Sequence, residues 1–275
     1  MEGMAQSWFR HLIALALLAG TAGNAAAATS AWAETEGGRV RLVVLPASPE
    51  GEMRAMLDIQ LDDGWKTYWR DPGESGIPPS VAISEESGVS LETIGFPVPK
   101  HFDDGVTRYT GYDRSVGLPM TLKFGPNASG KVVASVFLGI CSDICIPLQA
   151  ELTADTSGET FTNPLEETAV AAAEERLPGP ARDGFRPLSA AWSEDAKSLR
   201  ISFEAPGNDG GPPDVFLSAD GIQFGVAETV PTTDGAFTAT VPVIYRSKSA
   251  DLAQIEVLLT ISSGEEAMES PLVID

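Results

Sequence analysis

The residues best suited to chemistry are Cys141 and Cys145, the only two cysteines of the chain, set in Gly139-Ile140-Cys141-Ser142-Asp143-Ile144-Cys145-Ile146-Pro147. Two thiols at this spacing can form a disulfide, exchange electrons with other thiols, or bind a soft metal ion. Closing a loop of about five residues stabilises a fold by only ~2 kcal/mol, against nearly 5 for a loop of about a hundred. A bridge placed for stability alone would join distant strands, so the spacing favours a bridge that is made and broken. A local staple and a metal site stay open as alternatives. Met120 and His101 are the side chains that could complete a Cu(I) or zinc site with the thiolates. Met120, in Leu118-Pro119-Met120-Thr121-Leu122, instead has the pattern of a core residue, and the expectation is no cofactor and no bound metal. Asp143 lies between the cysteines in a strongly acidic chain, which opposes thiolate formation and predicts a sluggish nucleophile.

Other chemistries have little to work with. The 275 residues include 18 Lys+Arg against 39 Asp+Glu, a net charge of −21, which excludes a nucleic-acid binder that must neutralise phosphates. Only two histidines are present, and His11 falls in a leader-like segment, so a Ser-His-Asp or multi-histidine zinc site is hard to assemble. Asp103-Asp104, Glu174-Glu175 and Glu265-Glu266 read as solvated charge, and Trp65, Tyr68 and Trp69 as supporting aromatics.

The elements that must hold the cysteines are strands. Residues 1–33 read as a secretory signal peptide: Arg10 and His11 precede an apolar run from Leu12 to Ala19, and Ala31-Trp32-Ala33 supplies a small-residue cleavage site. The apolar run is short of the ~20 residues a membrane span needs. The mature chain, from Glu34, is then expected to be exported through this signal peptide, to the periplasm. In Met53–Leu61 the odd positions are apolar and the even ones mostly polar, the alternation of a half-buried strand. Similar runs occur at 39–45, 65–70, 81–83, 89–96, 118–124, 131–140 and 147–152, bounded by turn residues, which suits a sandwich. Asn163 and Pro164 form a helix start before the Glu/Ala-rich Leu165–Arg176, and Leu177-Pro178-Gly179-Pro180 ends it. A second β-rich region follows at 199–203, 215–217, 222–226, 236–243, 255–261 and 271–274. The expected fold is all-β: two β-sandwich domains, residues 34–157 and 183–275, joined by a short helix within a linker at 158–182.

Three further clusters join the cysteine motif in a fixed order: Asp63-Gly64-Trp65-Lys66-Thr67-Tyr68-Trp69, His101-Phe102-Asp103-Asp104 leading to Gly111-Tyr112, and Val116-Gly117-Leu118-Pro119. Together with Cys141 and Cys145-Ile146-Pro147 they resemble the N-terminal periplasmic domain of the DsbD-type thiol-disulfide reductases. The C-x3-C-I-P form is similar to the branch that includes the copper-sensitivity suppressor proteins. The resemblance covers residues 38–155 and is only architectural over 183–275. It implies an immunoglobulin-like sandwich whose cysteine pair takes electrons from a thioredoxin-like partner, fed by a membrane electron conductor, and passes them to oxidised periplasmic proteins. It also implies that Cys145 forms the mixed disulfide with the partner and that Cys141 is its internal partner. Family members cover the cysteines with a mobile loop bearing an aromatic cap, which corresponds here to His101–Tyr112. An ungapped pairing puts the cap position at Gly105-Val106, leaving Phe102, Tyr109, Tyr112 and Tyr68 as the aromatics that would shield the sulfurs. Members commonly continue into a membrane segment and a thioredoxin-like domain, so here the relay is expected to come from separate proteins. A copper-handling protein using the same thiolates, or an interaction module with a static bridge, are the rival readings.

Overall fold

The computed structural model describes residues 28–73, 76–103, 105, 108–157, 163–207, 211–233 and 235–275. Residues 1–27, most of the expected leader, lie outside the described residues. Up to residue 155 the strands are β1 (Ala28–Thr29), β2 (Ala33–Thr35), β3 (Gly38–Val44), β4 (Glu52–Leu61), β5 (Lys66–Tyr68), β6 (Ser80–Ile83), β7 (Val89–Ile94), β8 (Lys100–Asp103), β9 (Arg108–Tyr112), β10 (Val116–Phe124), β11 (Lys131–Cys141) and β12 (Cys145–Asp155). Helix α1 (Pro164–Glu174) follows. Beyond it come β13 (Gly179–Pro180), β14 (Arg186–Trp192), β15 (Ser198–Glu204), β16 (Asp214–Ala219), β17 (Ile222–Phe224), β18 (Glu228–Pro231), β19 (Phe237–Arg246), β20 (Val257–Ser263) and β21 (Glu266–Leu272).

These strands make three sheets. The first runs β1-β3-β4-β10-β7 with β2 beside β3, and the second β12-β11-β5-β9-β8 with β6 beside β11. The period-two pattern read at Met53–Leu61 places Met53, Ala55, Leu57 and Ile59 in the core, where they meet Leu118 and Leu122 of β10 and Val136, Leu138 and Ile140 of β11. Each of these is nearly inaccessible, so the two sheets enclose one dry layer. The third sheet runs β13-β21-β20-β16-β17-β19-β15-β14, with a core of its own that includes Phe185, Phe203, Leu199, Val241 and Ile261.

Two features differ from the expected plan. Within the segment expected as a covering loop, Lys100–Asp103 and Arg108–Tyr112 pair as β8 and β9 on the edge of the second sheet. Residues 28–33, placed in the leader by the sequence reading, are built into the first sheet. β1 pairs with Val43 and Val44, the Ser30 hydroxyl accepts from the Leu42 amide at 2.9 Å, and Trp32 lies under the guanidinium groups of Arg39 and Arg41. A leader ending at residue 33 would remove all of those contacts.

The helix begins as its sequence dictates, with the Asn163 side chain accepting from the Leu165 amide at 3.1 Å and Pro164 in the first turn. It lies on the outer face of the first sheet, where Val170 and Ala173 pack on Val43, Leu45 and Met56. Ion pairs from Arg54 to Glu174 and from Arg41 to Glu166 fix its position. The third sheet touches the second through Phe216 of β16, which packs within the first core, and through Arg70, whose guanidinium is 3.0 Å from Glu269 of β21.

Candidate functional site

The cysteine pair sits at the turn end of the longest hairpin. β11 and β12 stay in register over eleven pairs, from Lys131 opposite Asp155 to Cys141 opposite Cys145, where the sulfurs are bonded across a Cα separation of 4.1 Å. Val132, Val133, Val136, Phe137, Leu138 and Ile140 are β-forming residues that favour this ladder. The two sulfurs differ in access: Cys141 is 6% exposed, whereas Cys145 is exposed, next to Ile144 at 59%. An incoming nucleophile therefore reaches Cys145 first.

Strand alternation decides what surrounds them. Residues directly opposite in an antiparallel ladder share a face, as do residues two apart along a strand. Cys145, Cys141 and Lys66 lie on one rung, and Tyr68, Gly111 and Lys100 on another, with Tyr109 opposite Phe102 beyond. All of these share the face of the disulfide. The Tyr68 hydroxyl is 3.1 Å from both sulfurs. With the sulfurs bonded to each other, only the phenol has a proton to give. Burial, with Tyr109 adding to it, raises the Tyr68 pKa above its ordinary value of 10.0, so the hydroxyl stays protonated at any physiological pH.

Gly139 makes room for that ring, and Gly111 for the close approach of β9 to β5. A side chain at Gly139 would come within 2.9 Å of the Tyr68 ring, and one at Gly111 within 2.2 Å of the Thr67 carbonyl. Thr67, on the other face, donates to the Gly139 carbonyl at 2.8 Å and closes the junction between β5 and β11.

The aromatics expected to shield the sulfurs divide between the two faces of the hairpin. Tyr109 meets the Tyr68 ring edge-on at 5.6 Å, and Phe102 stacks on Tyr109 at 5.0 Å. These three belong to the site. Tyr112 is turned the other way: it is 7% exposed, packs in the core and donates to the Pro97 carbonyl at 2.8 Å. His101 shares that inner face, with Nδ1 3.1 Å from the Thr110 hydroxyl and its ring stacked on Phe216 at 4.5 Å. Burial lowers its pKa and keeps the ring neutral, partly offset by Asp214 and the Val215 backbone, which favour the charged form. Met120 is in the core on β10. Neither residue is brought to the cysteines, and among the described residues no group of three or more His, Cys, Asp or Glu could hold a metal ion.

Two residues were not singled out from the sequence. Lys66 places its ammonium 5.4 Å from the Phe102 ring centre and 5.7 Å from that of Tyr109. Its spacing of two from Tyr68 in a strand-like segment was the available signal. Phe216 gave none, because its packing on the first core is a tertiary event. Asp143, expected to oppose thiolate formation, sits exposed in the turn between the cysteines, whereas Lys66 shares the cysteine rung.

An immunoglobulin-like β-sandwich with a bonded cysteine pair at a hairpin end, flanked by aromatics from a neighbouring hairpin, is the class that fold and site define. Residues 40–157 match the family described as thiol:disulfide interchange protein DsbD, N-terminal. Among solved structures the chain is similar to the N-terminal periplasmic domain of ScsB from Proteus mirabilis, with a TM-score of 0.74 and 22% identity over 90% of this chain and 99% of that one. That likeness extends the shared fold past the family match into the third sheet. A marsupial T cell receptor matches at a TM-score of 0.20 and 8% identity over 88% of this chain and 98% of that one, too low to carry an argument. No curated protein matches the sequence.

Proposed function

We propose that this protein is a periplasmic thiol-disulfide relay that accepts reducing equivalents from a thioredoxin-like partner and delivers them to oxidised proteins. The observation that carries the reading is the asymmetric cysteine pair: an exposed Cys145 bonded to a buried Cys141, with one phenol hydroxyl 3.1 Å from both sulfurs. The family match of residues 40–157 supports it.

In the loading half-reaction, a partner thiolate attacks Cys145 Sγ and the Cys141–Cys145 bond breaks. Cys141 leaves as a thiolate beside the Tyr68 hydroxyl and takes up a proton. The second partner thiol then attacks the mixed disulfide, releasing Cys145 and closing the partner's own disulfide. Two electrons and two protons have moved. In delivery the same bonds form in reverse order: the Cys145 thiolate attacks an oxidised target, and Cys141 resolves the mixed disulfide. Exposed Ile144 and Phe137, which shares the Cys141 face of β11, give such a partner an apolar surface beside the sulfur.

In this reading residues 34–157 are the redox unit, 158–182 a linker whose helix is anchored on the first sheet, and 183–275 a buttress. The hairpin β8–β9 offers Phe102 and Tyr109 to the site and rests His101 on Phe216, so the third sheet backs the residues that cover the sulfurs. The contacts of residues 28–33 favour a leader shorter than 33 residues. Among the described residues no helix is long and apolar enough to cross a membrane.

Mixed-disulfide trapping tests the relay. A Cys141→Ser chain, with Cys145 left alone, is expected to capture a thioredoxin-like dithiol protein as a disulfide-linked adduct, while Cys145→Ser captures none. Absence of an adduct with Cys141→Ser, or a disulfide that resists reduction until the fold melts, would leave a static bridge.

A further inference from the structure

The strand that opens the fold, β1, lies in the segment that the sequence assigns to the leader. Ala28 and Ala33 pack on the first core. Ser30, 6% exposed, bonds to both backbone groups of the fully buried Leu42: its amide donates to the Leu42 carbonyl at 2.9 Å and its hydroxyl accepts from the Leu42 amide at 2.9 Å. A chain cut after Ala33 would strip Leu42 of that partner and leave the 42–44 end of β3 as a bare sheet edge. Upstream, Ala25-Ala26-Ala27 is small at both the first and the third residue before a cut, follows the apolar run, and leaves β1 whole. A second observation lies on the helix. Glu166, in the first turn of α1 and 12% exposed, makes its contacts through one oxygen. Oε1 accepts from the Thr29 hydroxyl at 2.6 Å and lies 3.9 Å from Arg41 Nη1, whereas Oε2 is buried with no hydrogen-bond partner among the described residues. A buried carboxylate oxygen is costly without a donor or a cation. The backbone nitrogen of Ala28 is one extended residue, about 3.5 Å of chain, before Thr29.

We propose that the leader is removed between Ala27 and Ala28, and that the α-ammonium so created pairs with Glu166 and ties β1 to the first turn of α1. A leader peptidase of the export route hydrolyses the Ala27–Ala28 amide: water gives its hydroxyl to the Ala27 carboxyl and its remaining proton to the Ala28 nitrogen. An amide offers one donor, whereas an ammonium offers three and a full charge. One of the three can serve the β1–β3 ladder while another reaches Oε2. Glu166 then holds three elements together: β1 through the ammonium and Thr29, β3 through Arg41, and its own helix. Processing in this way completes the seat of α1 on the first sheet, and a chain that keeps its leader has an uncharged amide where that cation would be.

The inference rests on export of the chain and is independent of the relay. The full chain, leader included, is expressed in a bacterial host, and the N-terminal residue of the periplasmic protein is read by intact mass and terminal sequencing. Ala28 is the expected first residue. A start at Glu34, at Ala26 or at any other residue would overturn the assigned site and leave export standing, whereas a chain held inside the cell with its leader uncut would overturn both. The pairing is tested on chains released from a cleavable fusion so that they begin at Ala28 or at Ala26, the second carrying its charge about 7 Å further along the chain. The Ala28 chain is expected to melt about 2–4 °C higher at pH 7. That difference is expected to vanish when both chains carry Glu166→Gln, whose carboxamide oxygen can still accept from Thr29. Equal melting temperatures of the two parent chains, or a difference that survives Glu166→Gln, would overturn the pairing.

Discussion

Replacing Tyr68 by Phe removes one oxygen and keeps the ring. That oxygen is 3.1 Å from each sulfur. In the oxidised pair it meets neutral, weakly accepting sulfurs. In the reduced pair, above the thiol pKa, it donates to a thiolate, and a hydrogen bond to a charged group contributes about 1.5–3 kcal/mol. The hydroxyl therefore favours the reduced form. For a two-electron couple 1.4 kcal/mol corresponds to about 30 mV, so Tyr68→Phe is expected to lower the reduction potential by roughly 30–65 mV. Equilibration with dithiothreitol or glutathione at pH 9, with thiol trapping and mass analysis, measures it. The ring remains to pack against Tyr109 and under Gly139, so the melting temperature should change little. A potential that is unchanged or higher would refute the argument that this hydroxyl acts on the reduced sulfurs.

Two further perturbations probe the surroundings. Phe216→Ala, at a side chain 4% exposed and packed on Trp69 and His101, should cost about 3–5 kcal/mol of stability and speed dithiothreitol reduction of the folded protein. Leu259→Ala, in the core of the third sheet, should cost a similar amount without that acceleration; equal rates in the two variants would dismiss the buttress. Asp71 is pushed up to about 6 by burial, against the opposing bond from the Gly73 amide, so its charged form destabilises the fold. Its contribution then improves as pH falls from above 6 towards its unfolded value near 3.8. Asp71→Asn should be more stable than the parent by about 3 kcal/mol at pH 8 and no more stable near pH 4, as read by denaturant titration at both pH values.

What could be read without coordinates was whatever depends on neighbours in sequence. The alternation at Met53–Leu61, the Asn163-Pro164 helix start and the β-forming run into Cys141 each follow from local periodicity or backbone geometry, and each stands where it was expected. The segment 100–112 was harder because its strands are short and polar, broken by Asp103 and Gly105, so period two has too few residues to declare itself. Which aromatics face the sulfurs depends on a one-residue register: Tyr109 and Tyr112 differ by an odd number, so they cannot share a face. Lys66 and Phe216 were silent because their importance comes from a ladder partner and from a core that belong to other parts of the chain.

The presence of just two cysteines has a consequence for capacity. With one pair there is one possible intramolecular connectivity, so oxidative refolding has no wrong pairing within the chain to escape. The same economy means that a chain passing electrons in the proposed way stores a single pair of them and has no reserve thiol. Each delivery empties it, and it must be recharged before the next. Flux through such a carrier scales with the number of molecules and the frequency of their two encounters, so its abundance relative to its partners sets throughput as much as the chemistry at Cys145 does.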